Sequence, residues 1–231
     1  MNGKSILKGV AIGATALLCA STSHAAAVNL AADDAVYFGL ASGTALPAGD
    51  AVYMGQFSIT DGAISALGVN MSPASYAALV AAFQPLDGVS LAHVGDGALG
   101  DAGAITASYS GSSTAFTSKP IYILVVNSAT TAGASQVGVF RGDASWTYPS
   151  DMATGSASID TDSALTSPLI GAYAAALDAP SNGYAYDLDS GNSFGTIAAL
   201  ELQAVPEPSS YALVGMGLAG MIGLIRRRRQ S

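Results

Sequence analysis

Between residues 26 and 205 the chain has no cysteine, a single histidine (His93) and only two basic side chains, Lys119 and Arg141. Each scarcity excludes a chemistry. The one cysteine of the sequence, Cys19, lies near the N-terminus, so the region that follows holds no disulfide, no thiolate zinc site and no cysteine nucleophile. A zinc site built on histidine needs more imidazoles than this region has. Fifteen acidic residues, fourteen Asp and Glu201, stand against the two basic ones, a formal charge of −13 over this stretch. Such a polyanion is repelled by phosphate backbones and anionic lipid, which excludes nucleic acid as a partner. An acidic surface instead suits divalent cations, basic polymers and solubility in salt.

The other basic residues sit at the two ends of the chain. Lys4 and Lys8 precede an apolar run from Val10 to Leu18, and Ser23-His24-Ala25 has the small-x-small pattern of a cleavage site. This arrangement reads as a secretory signal peptide, residues 1–25, handled by the export translocon and signal peptidase. The cut falls after Ala25 and leaves Ala26 as the mature start, with a cut after Ala27 as the neighbouring alternative. Cys19 raises the question of a lipoprotein, but Leu18 before it is too large for the small residue that such processing needs.

The 26–204 segment is long enough for one domain with its own core. It is rich in Ala, Gly, Ser and Thr, with apolar residues in short runs. In Ala51 to Ile59, Tyr53, Phe57 and Ile59 fall on one face and Gln56 and Ser58 on the other, which is strand alternation. Pro120 opens Ile121 to Val126, an unbroken β-branched-rich run that predicts a central strand buried on both faces. Asn127 to Gly133 reads as a turn and Gln136 to Arg141 as the partner strand. Leu200, Leu202 and Ala204 alternate with Glu201 and Gln203 in a last strand, and weaker strand signals lie at Val36–Leu40, Ser90–Val94 and Ala104–Ser110. Ser72 as cap and Pro73 at the first helical position predict one helix over 73–84, with Tyr76, Leu79, Val80 and Phe83 on one face. Ser163 to Leu177 fits either helix or loop, and Ser181 to Ser193 reads as turns. The expected fold is mainly β, an antiparallel sandwich-like ectodomain with one short helix. No internal repeat points to a solenoid or propeller.

After the last strand the sequence changes character. Val205-Pro206-Glu207-Pro208-Ser209-Ser210 leads into apolar or small residues from Tyr211 to Ile225, followed by Arg226, Arg227, Arg228 and Arg229. As a helix, 211–225 spans roughly 22 Å at about 1.5 Å per residue. That is short of a ~30 Å hydrocarbon core, a deficit that snorkelling arginines and bilayer thinning reduce. The arginines hold their end in the cytoplasm, so the domain lies outside. Pro206 and Pro208 disfavour helix and predict an extended approach to the membrane, a form that a processing enzyme can grip. Gly215, Ala219 and Gly223 form a smooth strip at four-residue spacing, suited to close helix packing or simply part of a glycine-rich tail.

These parts in this order resemble the PEP-CTERM sorting signal of Gram-negative bacteria. The resemblance implies recognition by an exosortase, a membrane-embedded, cysteine-dependent processing enzyme. Pro206, Glu207 and Pro208 would be its sorting motif, and Arg226 to Arg229 the cytoplasmic retention tail. Residues 205–231 then form a sorting signal with a transmembrane helix at 211–225. A Gram-positive sortase signal does not fit, since no Leu-Pro-x-Thr-Gly precedes the helix; an anchor that is never cut is the alternative. The exported part is also similar to ectodomains of other PEP-CTERM proteins in Gly49–Phe57, Ile121–Asn127, Val137–Phe140 and Trp146–Pro149. That likeness implies a shared β-rich domain and no particular reaction.

Catalytic signals are sparse. His93-Val94-Gly95-Asp96 pairs an imidazole with a carboxylate in sequence, but no Gly-x-Ser-x-Gly elbow accompanies it. No Walker lysine or dinucleotide fingerprint is present. Asp187, Asp189 and Asn192 place oxygen ligands on a Gly-containing turn, a candidate calcium site lacking the closing Glu of an EF-hand, and Asp160 and Asp162 form a second pair. Either pair is also an acidic couple of the kind glycosidases use. Trp146 and Tyr148 are candidates for a sugar-stacking surface or for core packing. The expectation is an exported, non-enzymatic cell-surface or matrix protein with a structural or adhesive role linked to exopolysaccharide. A surface carbohydrate- or calcium-binding module is the alternative, and a secreted hydrolase with an acidic site the second.

Overall fold

A computed structural model describes residues 26–32, 36–86, 92–93, 103, 105–142, 144–161, 167–177 and 197–207. In chain order, β1 (Ala26–Ala32), β2 (Val36–Gly39) and β3 (Ala51–Phe57) precede helices α1 (Asp61–Val69) and α2 (Pro73–Ala82). β4 (Phe83–Pro85), β5 (Ala92–His93), β6 (Ile105–Gly111) and β7 (Tyr122–Val126) follow. Then come β8 (Gln136–Arg141), β9 (Ser156–Asp160), β10 (Ser167–Ile170), β11 (Ala172–Leu177), β12 (Ile197–Glu201) and β13 (Gln203–Ala204).

The largest sheet has the order β10-β8-β7-β3-β4, with β13 continuing the β10 edge of β8 and β5 continuing the β4 edge of β3. All its pairings are antiparallel. Two smaller sheets, β6-β1-β9 and β11-β12-β2, each combine an antiparallel with a parallel pair.

The period of two along β7 divides the interior. Ile121, Ile123 and Val125 point into one core, joined by Val52, Met54 and Phe140 of the same sheet. Opposite them stand Val28, Leu30, Ile105 and Ile159 from one small sheet and Val36, Phe38 and Leu200 from the other. Tyr122, Leu124 and Val126 point the other way, into a second core with Val137, Val139 and Ile170 that is closed by Ile64 of α1 and Leu79 of α2. The described residues thus form three sheets about a first core, with the two helices closing a second as a further layer.

Both helices are capped by hydroxyls. Thr60 Oγ1 accepts from Ala63 N at 3.3 Å, and Ser72 Oγ accepts from Ser75 N at 3.1 Å. Helix α1 approaches the sheet closely at Gly68, where an added Cβ would lie 2.9 Å from Ile170 Cγ1. Asp61 at its first turn accepts from Tyr122 Oη at 2.6 Å and forms an ion pair with Arg141, whose guanidinium lies 5.7 Å from the Tyr122 ring centroid. One of the two basic residues between the chain ends therefore fastens the helical layer to the sheet.

Several expectations change. Two short helices replace the one predicted: α1 is additional, and the predicted helix stops at Ala82 rather than residue 84. Phe83 leaves the helix for β4 because its ring packs against Phe57 (centroids 5.0 Å) and Tyr53 (6.4 Å). The described part of Ser163–Leu177 is strand, β10 and β11, rather than helix or loop. β1 and β9 have no counterpart among the predicted strands, and their parallel pairing departs from a purely antiparallel sandwich. Trp146 and Tyr148 are 3% and 1% exposed, so they are core residues and form no stacking surface. The predicted transmembrane helix at 211–225 falls outside the described residues, among which no helix is long and apolar enough to cross a membrane.

The chain passes from the large sheet to a small one at two adjacent points, Gly171 between β10 and β11 and Leu202 between β12 and β13. Gly171 has φ +102°, and a Cβ there would meet Glu201 O at 2.2 Å. Gly171→Ala should therefore lower stability by about 2 kcal/mol or more, through left-handed strain and collision with backbone. Urea denaturation followed by Trp146 fluorescence measures it, and a midpoint unchanged from wild type would show that the crossing tolerates a side chain.

Candidate functional site

The final described strand ends the domain and begins the segment singled out in the sequence. Gln203 and Ala204 of β13 pair with Val137 and Gln136 of β8. Gln203 Nε2 donates to Gly68 O at 2.6 Å, tying the strand to the end of α1. Alternation along Leu200, Leu202 and Ala204 would place Val205 on the opposite face, and Val205 is indeed buried in the second core, 8% exposed. Its N–H donates to Ser135 O at 2.7 Å.

That acceptor is held by the turn between β7 and β8. Asn127 Oδ1 accepts from Ser135 N at 2.9 Å and Gln136 N at 2.6 Å, and its Nδ2 donates to Ser135 Oγ at 3.0 Å. Helix α2 supports the turn from the other side, with Tyr76 Oη donating to Thr131 O at 2.6 Å. Burial, helped by neighbouring Tyr53, pushes the Tyr76 hydroxyl up to about 12. Tyr122 is also raised to about 12, first by burial, then by its hydrogen bond to Asp61 and the Asp61 charge, with Arg141 opposing.

Between α2 and the turn lies an open cleft of about 230 Å³, lined by Pro73, Tyr76, residues 132–135 and the chain end Val205–Glu207. Pro206 is half-buried on its wall and Glu207 is exposed. The predicted extended approach thus begins seated on the domain rather than clear of it.

Residues 204–229 match the PEP-CTERM protein-sorting motif. This segment is an exosortase target signal. The PEP-CTERM motif therefore overlaps the folded domain at Ala204–Glu207, where β13 and the cleft hold its first residues. No curated protein and no solved structure matches the chain.

Other predicted site residues are distributed as follows. Pro208, Arg226 to Arg229, Ala25 and the calcium candidates Asp187, Asp189 and Asn192 lie outside the described residues. The backbone of His93 pairs with Ala51 in the large sheet, while Asp96 is outside the described residues. Asp160 ends β9, and Asp162 is likewise outside. Among the described residues no group of three His, Cys, Asp or Glu side chains is gathered as a metal site. Sequence reasoning did not anticipate Val205 as a core residue; its break from the Leu200–Leu202–Ala204 phase was the available signal. Nor did it connect Asn127 and Tyr76 with the motif, since those links span distant parts of the chain.

An unfolded tyrosine ionises near 10, whereas the folded protein holds Tyr76 and Tyr122 neutral up to about 12. Their contribution to stability is complete below the unfolded value and is lost as pH rises through the folded one. The urea midpoint should accordingly fall between about pH 10 and 12, and Tyr122→Phe should flatten that slope. Tyr76→Phe should also cost about 1 kcal/mol at neutral pH through loss of the Thr131 hydrogen bond.

Proposed function

We propose that the protein is a non-catalytic component of the cell surface or extracellular matrix of a Gram-negative bacterium, with a structural or adhesive role linked to exopolysaccharide. The observation that carries this reading is the PEP-CTERM motif at 204–229, which implies an exported protein sorted by an exosortase. In this reading Pro206, Glu207 and Pro208 are recognised at the membrane. Tyr211 to Ile225 spans it in transit, and Arg226 to Arg229 retain the tail in the cytoplasm until the signal is cut. Signal peptidase acts at Ala25 on the way out.

One surface supports the link to polysaccharide. The outward face of β6-β1-β9 carries exposed Ser108, Asn29 and Ser158 in one cross-strand row. The next row sets Ser110 and Ser156 on either side of Ala27. Strands about 4.8 Å apart and like-facing residues roughly 6.8 Å apart along each strand make a regular hydrogen-bonding array of small side chains. Sugar hydroxyls can pair with such an array without charge. The same face favours a surface carbohydrate-binding module as the second reading. The calcium candidates Asp187, Asp189 and Asn192 belong with that reading.

Two measurements test these roles. Intact mass and terminal sequencing of protein from the native host should give a chain starting near Ala26 and ending near Pro206–Ser210. Replacing Arg226 to Arg229 by Gln, or deleting the exosortase, should leave the chain ending at Ser231 in the membrane fraction. An uncut chain in unmodified cells would leave an ordinary tail anchor. Separately, Asn29→Lys with Ser158→Lys should abolish co-sedimentation with the host's purified exopolysaccharide while leaving the fold intact, and equal retention of the variant would remove the sheet face from the proposal.

A further inference from the structure

Resting on the reading of 204–229 as a processed signal, we propose that the folded domain itself sets the N-terminal limit of processing, with Val205 as the positioning residue. Three observations converge on it. Val205 is 8% exposed within the second core. Its N–H is engaged by Ser135 O at 2.7 Å, and Ser135 is in turn fixed by Asn127. The residues before it are held by β13 pairing and by the Gln203–Gly68 hydrogen bond, and Pro206 after it rests on the cleft wall.

A peptide-cleaving enzyme binds its substrate as an extended strand with free backbone groups on both sides of the bond that is cut. Gln203 and Ala204 are already paired along β8, and the Val205 N–H is already engaged by Ser135 O. Opening them means withdrawing Val205 from the core and breaking the β13 pairing, whereas Glu207 is exposed without any such change. The enzyme therefore reads the motif from Pro206 outward, and the bond broken lies C-terminal to Pro206. In that step the amide C–N bond breaks, and the acyl carbon takes the oxygen of water or of an acceptor hydroxyl. The leaving nitrogen takes the displaced proton. The released protein keeps Val205, so processing leaves the second core closed.

The exported chain, freed of its signal peptide and of Cys19, has no thiol of its own, so single cysteines report directly on access. Full-length Val205→Cys and Glu207→Cys proteins in membranes of an exosortase-deficient host would be treated with a maleimide reagent. Cysteine at 205 should react at least about tenfold more slowly than at 207, because labelling requires local opening of the core. Unfolding in urea should remove the difference. Equal rates in the native membranes would overturn the proposal. In the normal host, a mature C-terminus at or beyond Pro206 supports it, and one at or before Val205 overturns it. A chain intact to Ser231 in the normal host, with cysteine at 205 still protected, would refute processing and leave the seating of Val205 standing, so the two failures are distinguishable.

Discussion

Everything described in this protein is arranged around one strand that has to be hidden on both sides. Tyr122–Val126 is buried along its whole length, as is Ile121 before it. A single opposing sheet covers one face of such a strand and leaves the other wet. The two small sheets cover the face with Ile123 and Val125, and the helices cover the face with Leu124 and Val126. The third layer is thus a consequence of the apolar content of β7.

Covering both faces with elements from distant parts of the chain requires the backbone to change sheets. It does so at Gly171 and Leu202, where β10–β11 and β12–β13 cross side by side. The missing Cβ at Gly171 lets the two backbones meet, and Leu202, whose N–H donates to Gly39 O at 2.8 Å, stays in the first core as the chain turns. The second crossing sends the chain along the edge of β8 toward the helical layer. Val205 then fills the second core, so the end of the folded domain and the first residues of the sorting motif coincide.

This coincidence gives the protein its division of labour. Positive charge is confined almost entirely to the two ends of the sequence, while the region between is acidic. Of the two basic residues within it, Arg141 is committed to Asp61 and the attachment of α1. The domain presents small hydroxyl and amide groups on the β6-β1-β9 face and acidic charge elsewhere in its sequence. The sorting motif begins in a segment whose first residues are anchored in the domain.

The motif at 204–229 was readable from sequence because its signal is linear: proline placement, an apolar run and an arginine block need no partners to be recognised. Strands β3, β7 and β8 were readable for a related reason, since their apolar pattern is strong within a single segment. Weak local signals failed. Helix α1 contains Gly62 and Gly68 and buries little beyond Ile64, so only its attachment to Ile170, Tyr122 and Arg141 makes it a helix worth forming. β1 and β9 are Ala- and Ser-rich strands whose partners lie far away in sequence. Val205 looked like the first residue of a free tail, and Trp146 and Tyr148 were equally consistent with a surface or a core. Sequence by itself determined the sorting motif and the central strand, because both depend on residues adjacent in the chain. Tertiary structure alone decided which side of Val205 belongs to the domain, because that depends on the groups that Ser135, Asn127 and Tyr76 bring to it from elsewhere.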